Sequence, residues 1–317
     1  MPSDYLHNHA EFSDLIRAVD HQKNIDSSLI EKDYWIMHCL YGLQKAGFKF
    51  ELKGGTSLSK GHQIIHRFSE DIDIRIEPPD DMNVKIGKNH KKPAHCESRR
   101  KYYDWLASKI NIDGINKIDR DTKFDNEKTY FSGGIRLYYE SVFSVLEGVK
   151  EGVLLEAGFD DVTPNELVDI SSWAFDFAQK KGLKVKDNRA CRVLCYHPGY
   201  TLVEKLQTIV TKFRKQQEEG DIPANFIRHY YDVACLLKNA TVQNFIEMPA
   251  YEERKKKRFS VRDNKILLSE QEAFLLKGAT IRKQYKDEYI KTAALYYEGQ
   301  LPFEEIMGII SENLKRL

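Results

Sequence analysis

The sequence lacks the features that mark membrane proteins, secreted proteins and proteins with a general attraction to polyanions. No run of about 18 apolar residues occurs in the 317-residue chain, and residues 1–9 are polar, so we expect neither a membrane span nor a signal peptide. Its 49 lysines and arginines nearly balance its 48 aspartates and glutamates, which excludes a strong overall attraction to nucleic acid or anionic membrane. Any polyanion site must therefore be a local patch.

Cysteine is also scarce. The five cysteines are odd in number and scattered, which is not typical of a disulfide framework, so we expect a reducing, cytoplasmic environment. Cys191 and Cys195, with His197, lack a second pair of zinc ligands, and we interpret both as buried thiols. The chain does have 41% hydrophobic and 11% aromatic residues, enough for the cores of about two domains.

Hydrophobic periodicity predicts strands and helices in the first part of the chain. It indicates two helices between Ser13 and Ala46, broken near residues 23–27, with Ser27 or Ser28 as the cap of the second and Glu31 in a capping box. A mixture of strands and helices follows, which indicates an α/β or α+β fold. The predicted strands are Phe48–Leu52, Asp71–Ile76, Thr129–Tyr139, Val149–Phe159 and an edge strand Arg192–Tyr196, and the predicted helices are Thr56–His66 and His95–Ile110.

The rest of the chain has a helical pattern almost throughout. We therefore predict two domains, over residues 1–198 and 199–317, the second a helical bundle. Its predicted helices are Tyr200–Gln217, Pro223–Lys238, Val242–Glu247, Glu270–Lys277, Tyr285–Tyr297 and Pro302–Leu314.

Two aspartates in the first domain have the spacing of a metal site. On a strand, Asp71 and Asp73 point to the same side with their α-carbons about 7 Å apart, so their carboxylates can converge on one hard cation. Magnesium prefers one or two carboxylates together with substrate phosphates, so the pair implies a nucleotide ligand. The turn at Gly54-Gly55 complements the pair, because its backbone can approach phosphate oxygens and Thr56 and Ser57 add hydroxyl donors.

Each of these two features is common by itself. An Asp-x-Asp strand is more often a solvated face than a metal site, and a Gly-Gly before a helix is mostly a turn. Their combination in one strand–helix–strand unit would place both at one cleft, and this favours the functional interpretation.

The motif resembles that of a known family. Lys53 to Lys60 (KGGTSLSK) followed by Arg67 to Ile74 (RFSEDIDI) is similar to the AbiEii/AbiGii toxins of the DNA polymerase β-like nucleotidyltransferase superfamily. The resemblance implies an α+β fold, with a mixed sheet, flanking helices and a C-terminal helical domain that completes the cleft. It also implies that the aspartates and a third carboxylate bind Mg²⁺ or Mn²⁺, with Glu156 as the candidate and a rim glutamate as the alternative. The candidate residues for binding the nucleoside triphosphate are Gly54, Gly55, Thr56, Ser57, Lys60 and Ser69.

The resemblance continues into the helical domain. Residues 200–207 are similar to the family's lysine motif and residues 228–233 to its aspartate motif. Lys205 would then neutralise triphosphate charge, and Asp232 would hold that lysine or act on the acceptor hydroxyl. The alternative is that both are surface charges on amphipathic helices. Many family members have an aspartate where this chain has His229, whose role stays open between a base and a structural residue.

The resemblance implies transfer of a nucleotide to an acceptor hydroxyl. The expected acceptor is RNA, specifically the transfer-RNA 3′ end, which would inhibit translation and make the protein a toxin with a cognate antitoxin. The alternatives are a protein or small-molecule acceptor, or an inactive nucleotide-binding protein. Three basic runs and nearby aromatic residues are compatible with RNA contact. They are Lys85, Lys88, Lys91, Lys92, Arg99, Arg100 and Lys101; Lys212, Arg214 and Lys215; residues 254–258; and Tyr102, Tyr103 and Trp105.

Overall fold

The computed structural model describes residues 4–144, 146, 148–223 and 225–317. These residues form a seven-stranded mixed sheet and twelve α-helices, which confirms the α+β class. Contacts divide the chain into two compact units, which we call the sheet unit and the helical unit. The sheet unit comprises Met1–His62 and Ser69–Tyr196, and the helical unit comprises Gln63–Phe68 and His197–Leu317.

The sheet places the aspartate-containing strand near its centre. The strand order is β3-β4-β5-β2-β1-β7-β6, in which β2 pairs in parallel with β5 and antiparallel with β1. The β1–β7 pair is also parallel, and the other neighbours are antiparallel. The strands are β1 Phe50–Lys53, β2 Asp71–Ile76, β3 Ile115–Arg120, β4 Ser132–Tyr139, β5 Val153–Gly158, β6 Asn165–Ile170 and β7 Ala190–Tyr196.

The strand predictions were most accurate where one face is buried. The bounds of β2 match the prediction residue for residue. The two strands that the sequence did not predict, β3 and β6, are the sheet edges, where most residues stay partly exposed and the alternation of apolar residues is weak. The predicted edge position of residues 192–196 is wrong, because β7 lies between β1 and β6.

Two helices of the sheet unit confirm the prediction for its N-terminal part. They are α1 Phe12–Lys23 and α2 Ser27–Lys45, separated by a short break. The predicted cap of α2 is wrong: the carboxylate of Asp26 accepts the backbone N–H of Ser28, and Glu31 makes its contacts elsewhere. The other helices of this unit are α3 Gly54–Thr56, α4 Pro93–Lys109 and α5 Trp173–Lys180.

The helical unit is built around α6 and α7. The predicted helix over residues 223–238 begins only at Arg228, and residue 224 lies outside the described residues. Helix α9 was not predicted, because its ten residues bury only Tyr251 and Arg254 and carry a run of charges. The helices are α6 Pro198–Glu219, α7 Arg228–Lys238, α8 Ala240–Ile246, α9 Pro249–Arg258, α10 Glu272–Leu275, α11 Ala279–Ile290 and α12 Phe303–Asn313.

The segment 63–68, which follows the glycine turn in the chain, is part of the helical unit. The backbone N–H of Phe68 donates to the carbonyl oxygen of Leu295 at 2.7 Å, and the N–H of Tyr297 donates to that of His66 at 3.2 Å. The predicted helix over residues 285–297 therefore ends early, at Ile290, because residues 295–297 pair with this segment. Among the described residues, no helix combines the length and apolar character needed to cross a lipid bilayer.

Candidate active site

The two aspartates of β2 share one face of the sheet. Ile72, Ile74 and Ile76 are fully buried, whereas Asp71 and Asp73 alternate with them and are half-buried. This is the period of two that a strand with one packed face requires. This alternation confirms that the side chains of Asp71 and Asp73 lie on the same side of the strand.

A third carboxylate lies beside them on the neighbouring strand. In the parallel pairing of β2 with β5, Asp73 is opposite Glu156, so the two side chains are same-face neighbours one strand apart. Burial, and after it the charges of Asp73 and Asp71, raise the pKa of Glu156 to about 8, against the opposing charges of Lys53 and Lys150. Burial also raises the pKa of Asp71, against the opposing charge of Lys150. The site therefore holds more negative charge than its surroundings readily neutralise.

Gly54 leaves the space that the Asp73 carboxylate occupies. The φ of Gly54 is +72°, and a Cβ added there would lie 2.1 Å from Oδ2 of Asp73. Both facts require glycine: the positive φ disfavours other residues, and a Cβ would clash with the Asp73 carboxylate. The Thr56 hydroxyl donates to the carbonyl oxygen of Asp71 at 2.5 Å, so the turn after β1 is tied directly to β2.

The helix predicted over residues 56–66 is wrong in extent. Helix α3 continues only as a π-helical turn, Ser57–Gly61, and Gln63 then adopts a positive φ of 53°. The backbone of Gly61 packs against Cys195, where a Cβ would meet Sγ at 2.9 Å. The π-helical turn ends at Gly61, just before the segment 63–68, which belongs to the helical unit.

The side chains predicted to bind a triphosphate mostly face protein. Thr56 and Ser57 are fully buried, and burial raises the pKa of Cys195 to about 12 while the neighbouring Ser57 hydroxyl opposes that rise. Lys60 forms an ion pair with Asp33 at 2.8 Å. Gly55 is buried and Ser69 is half-buried. The roles of these residues in nucleotide binding stay predictions.

Helix α2 carries three consecutive buried charged residues, of which the sequence predicted a role only for Glu31, in a capping box. Glu31 accepts hydrogen bonds from the Ser141 hydroxyl at 2.7 Å and from the backbone N–H groups of Val142 and Phe143 at 2.9 and 3.2 Å. Its neighbour Lys32 forms an ion pair with Glu70 at 3.8 Å.

The third of these residues, Asp33, binds Lys60 and accepts the backbone N–H of Trp173 at 2.8 Å. The signal that could have revealed the three was their position, because charges in the middle of an otherwise apolar helix need buried partners.

Lys150 is a further residue that sequence reasoning missed. Its ammonium lies 3.0 Å from Oδ2 and 3.3 Å from Oδ1 of Asp71. Its backbone N–H donates to Glu70 at 2.9 Å, and its carbonyl oxygen accepts from Lys32. No motif marks it in the sequence, since it lies in the connection between β4 and β5.

The carboxylate cluster fits the chemistry of a hard divalent cation. Among the described residues, no group of three or more His, Cys, Asp or Glu side chains is arranged so that it could hold a metal ion. Magnesium, however, is usually bound by one or two carboxylates together with waters and substrate phosphates. The three carboxylates supply the oxygen ligands, and their negative charges repel one another when no cation is bound. Gly54 leaves room for the Asp73 carboxylate.

The helical unit contains a separate buried charge cluster around Asp232. This carboxylate is fully buried and accepts two hydrogen bonds from the Arg67 guanidinium, each 2.7 Å long, while the Lys205 ammonium lies 2.9 Å from Oδ2. Burial would raise the pKa of Asp232, but the charges of Arg67 and Lys205 outweigh it and hold the pKa well below its usual range. The geometry favours the role of holding Lys205 over that of acting on an acceptor hydroxyl.

His229 completes this cluster. Its Nδ1 lies 3.3 Å from the Lys205 ammonium. Burial, and then the charge of Lys205, hold the pKa of His229 well below its ordinary value, so the ring is neutral at neutral pH. Of the two interpretations, this environment favours the structural one. The sequence motif includes Arg67 but predicts no role for it. In the structure, Arg67 binds the buried carboxylate of Asp232.

A comparison with protein families identifies the chain. Residues 38–308 match the family described as the AbiEii nucleotidyl transferase toxin of type IV toxin–antitoxin systems. The chain belongs to the AbiEii family. As an AbiEii protein it is a nucleotidyltransferase toxin, with a nucleotide as substrate and an antitoxin as the partner that the family suggests. No curated protein matches the sequence.

The structure changes the interpretation of the basic runs in this AbiEii protein. Arg99 is fully buried, and its guanidinium donates to the carbonyl oxygens of Thr129 and His90, so it is structural. Tyr102 and Tyr103 belong to the core. Acidic partners hold several other cations of these runs: Arg100 with Glu97, Lys88 with Asp160, Arg214 with Asp263, Lys215 with Glu219 and Arg254 with Glu204.

Two smaller predictions also change. Lys91 and Lys92 are exposed, as are Lys88 and Lys101, so this part of the first basic run is open to a partner. Cys191 is exposed as well, so only Cys195 of that pair is a buried thiol.

Proposed function

We propose that this AbiEii protein transfers a nucleoside monophosphate from a nucleoside triphosphate to RNA in a Mg²⁺-dependent or Mn²⁺-dependent reaction. The proposed acceptor is the 3′ end of transfer RNA, so that the product blocks translation in the cytoplasm. The observation that carries the proposal is the register of β2 and β5, which sets Glu156 beside Asp73, with Asp71 on the same face. A site for one-metal or two-metal phosphoryl chemistry needs carboxylates in such an arrangement.

The reaction has simple requirements. The acceptor hydroxyl attacks the α-phosphorus in line and pyrophosphate leaves, so the protein mainly positions groups and neutralises charge. Asp71, Asp73 and Glu156 would hold the cation, which when bound supplies charge for the phosphates and lowers the pKa of the acceptor hydroxyl.

The glycine turn supports the same chemistry. Gly54 allows the backbone to lie against Asp73, and the first N–H groups of α3 lack partners within the helix and can donate to phosphate oxygens. The assignment of Lys205 to the triphosphate rests on the family resemblance. The buried Asp232 and the neutral His229 are better suited to orienting that lysine than to proton transfer.

The test is a transfer assay with the full chain. The protein is incubated with Mg²⁺, each α-labelled nucleoside triphosphate in turn and total bacterial RNA, beside Asp71→Ala. We expect label on a band of transfer-RNA size, and loss of the label with Asp71→Ala. Label on protein would replace RNA by a protein acceptor. No transfer to any acceptor, together with equal toxicity of the parent and of Asp71→Ala in cells, would favour an inactive nucleotide-binding protein.

Charge reversal at two exposed lysines tests the RNA acceptor separately. With Lys91→Glu and Lys92→Glu, transfer to RNA should weaken and depend less on salt, because fewer phosphates are neutralised. The matched control is Lys180→Glu with Lys181→Glu, which reverses the same charge in the same unit at two other exposed lysines. Equal effects of the two double variants would contradict a contact at residues 91 and 92. Arg99 is unsuitable for this test because its removal would leave buried carbonyl groups unpaired.

A further inference from the structure

We propose that Lys150 is a resident counter-ion of Asp71, so that the site binds a divalent cation well only together with a nucleotide. The inference rests on the proposed function, because it takes Asp71, Asp73 and Glu156 as the cation site. It adds a residue to that site and a rule for the order in which the site is filled.

The first observation is the ion pair itself. The Lys150 ammonium is within hydrogen-bond distance of both carboxylate oxygens of Asp71, and both side chains keep partial access to solvent, 29% and 21%. A cation that binds Asp71 must compete with this ammonium. Because the pair is only partly buried, the competition costs much less than separation of a fully buried pair would.

The second observation is the way in which the backbone of Lys150 is held. Its N–H donates to Glu70 and its carbonyl oxygen accepts from Lys32, and these two partners form an ion pair with each other. Both partners have side chains that are 3% exposed. The backbone is thus fixed by buried groups while the side chain reaches a partly open carboxylate, so release of Asp71 needs only a rotation of the side chain.

The third observation is a second contact that the ammonium makes in the same position. It lies 4.9 Å from the centre of the Phe124 ring, a distance at which a cation is attracted to the ring face. The ammonium is therefore held at the site by the Phe124 ring as well as by the Asp71 carboxylate.

The balance of charge explains the consequence for binding. Lysines near the three carboxylates include Lys150 and Lys53, whose charges reach Glu156, and Lys32, whose charge reaches Asp71. A divalent cation alone displaces the ammonium and leaves it without a carboxylate. A metal–nucleotide complex brings phosphate oxygens, to which the same ammonium can donate, so the displacement is compensated.

Binding of Mn²⁺ to the nucleotide-free protein tests the inference without any turnover. The fraction of free Mn²⁺ is measured by electron paramagnetic resonance for the parent, Lys150→Met, Lys150→Gln and Lys150→Arg. We expect both neutral variants to bind Mn²⁺ about tenfold more tightly, as for the loss of one competing ion pair, and Lys150→Arg to resemble the parent. Lys117→Met is the matched control, because it removes a lysine that pairs with Asp119 on β3 of the same unit.

For nucleotide binding, substitution of Lys150 should have the opposite effect on affinity. With a non-hydrolysable triphosphate analogue and Mg²⁺, Lys150→Met should bind the nucleotide several-fold more weakly than the parent, because a phosphate partner is lost. Circular dichroism of each variant confirms that the fold is kept.

The outcomes separate the two proposals. If Mn²⁺ binding depends on Asp73 but is the same in the parent and both neutral variants, the counter-ion proposal is wrong and the proposed site stands. If no variant binds Mn²⁺ in a manner that Asp73→Asn abolishes, the cation site itself is wrong and both proposals fall.

Discussion

At the scale of single residues, Gly54 shows most clearly how the backbone makes room for chemistry. It has a positive φ, and its α-carbon lies where the Asp73 carboxylate needs space. Gly47 also has a positive φ, 83°, but a Cβ there would meet nothing within 4 Å. Substitution of Gly47 would therefore introduce only conformational strain, whereas substitution of Gly54 would add a steric conflict with Asp73.

This difference predicts distinct effects of two alanine substitutions. Gly47→Ala should lower the free energy of unfolding by about 1 kcal/mol, the cost of a left-handed conformation, and leave transfer unchanged. Gly54→Ala should cost more than that and abolish transfer, because Asp73 must move. Urea unfolding and the labelled-nucleotide assay measure the two effects. Normal transfer by Gly54→Ala would contradict the role given to this glycine.

His38 on α2 predicts how stability depends on pH. Its ring is buried between the carbonyl oxygen of Asp113 and the side chain of Asn188, and burial lowers its pKa to about 4. Below pH 6.5 the unfolded chain takes up a proton that the folded chain accepts only near pH 4. The unfolding free energy should therefore fall between these values by up to about 3 kcal/mol.

The measurement compares urea unfolding at pH 7 and pH 4.5. His38→Gln should lower stability at both values and depend less on pH than the parent does. The exposed His21→Gln is the control and should keep the slope of the parent. An unchanged slope with His38→Gln would show that other groups cause the loss of stability in acid.

At the scale of elements, the sequence predicted the parts of the site whose signal is local. The alternation in residues 71–76 predicted β2, and the Gly-Gly turn followed from composition, so Asp71, Asp73 and Gly54 could be placed together. Glu156 was found only through the family resemblance, because the pairing of β2 with β5 is a long-range property that no local pattern carries. Lys150 and the buried residues 31–33 act through such long-range contacts as well.

The Asp232 cluster connects three elements of the helical unit. Asp232 lies on α7, Lys205 on α6 and Arg67 in the segment 63–68, and the carboxylate is the partner that both cations share. Asp232→Asn should lower the unfolding free energy by about 3–5 kcal/mol, because it leaves two buried cations without their charge. Glu305→Gln, which breaks the exposed pair with Lys238, should cost less than about 1 kcal/mol. Equal stability of the two variants in urea would contradict this account.

At the scale of the whole molecule, the chain passes between its two units more often than a simple two-domain sequence would. The segment 63–68 belongs to the helical unit, although the residues on both sides of it belong to the sheet unit. Periodicity predicted the change from strands to helices near residue 198, but it could not predict this excursion. Six residues are too few to show a pattern, and their partners at residues 232 and 295 are far away in the sequence.

Asp71, Asp73 and Glu156 are proposed to act as one catalytic unit in nucleotide transfer, and a double-mutant cycle on Asp73 and Glu156 tests this. The rate of transfer from the labelled triphosphate is measured for the parent, Asp73→Asn, Glu156→Gln and the double variant. The transfer rate of each single variant should fall at least about 100-fold, and that of the double variant should be little lower, because the effects of groups that act together are not additive. A Glu156→Gln enzyme with the rate of the parent would contradict this proposal.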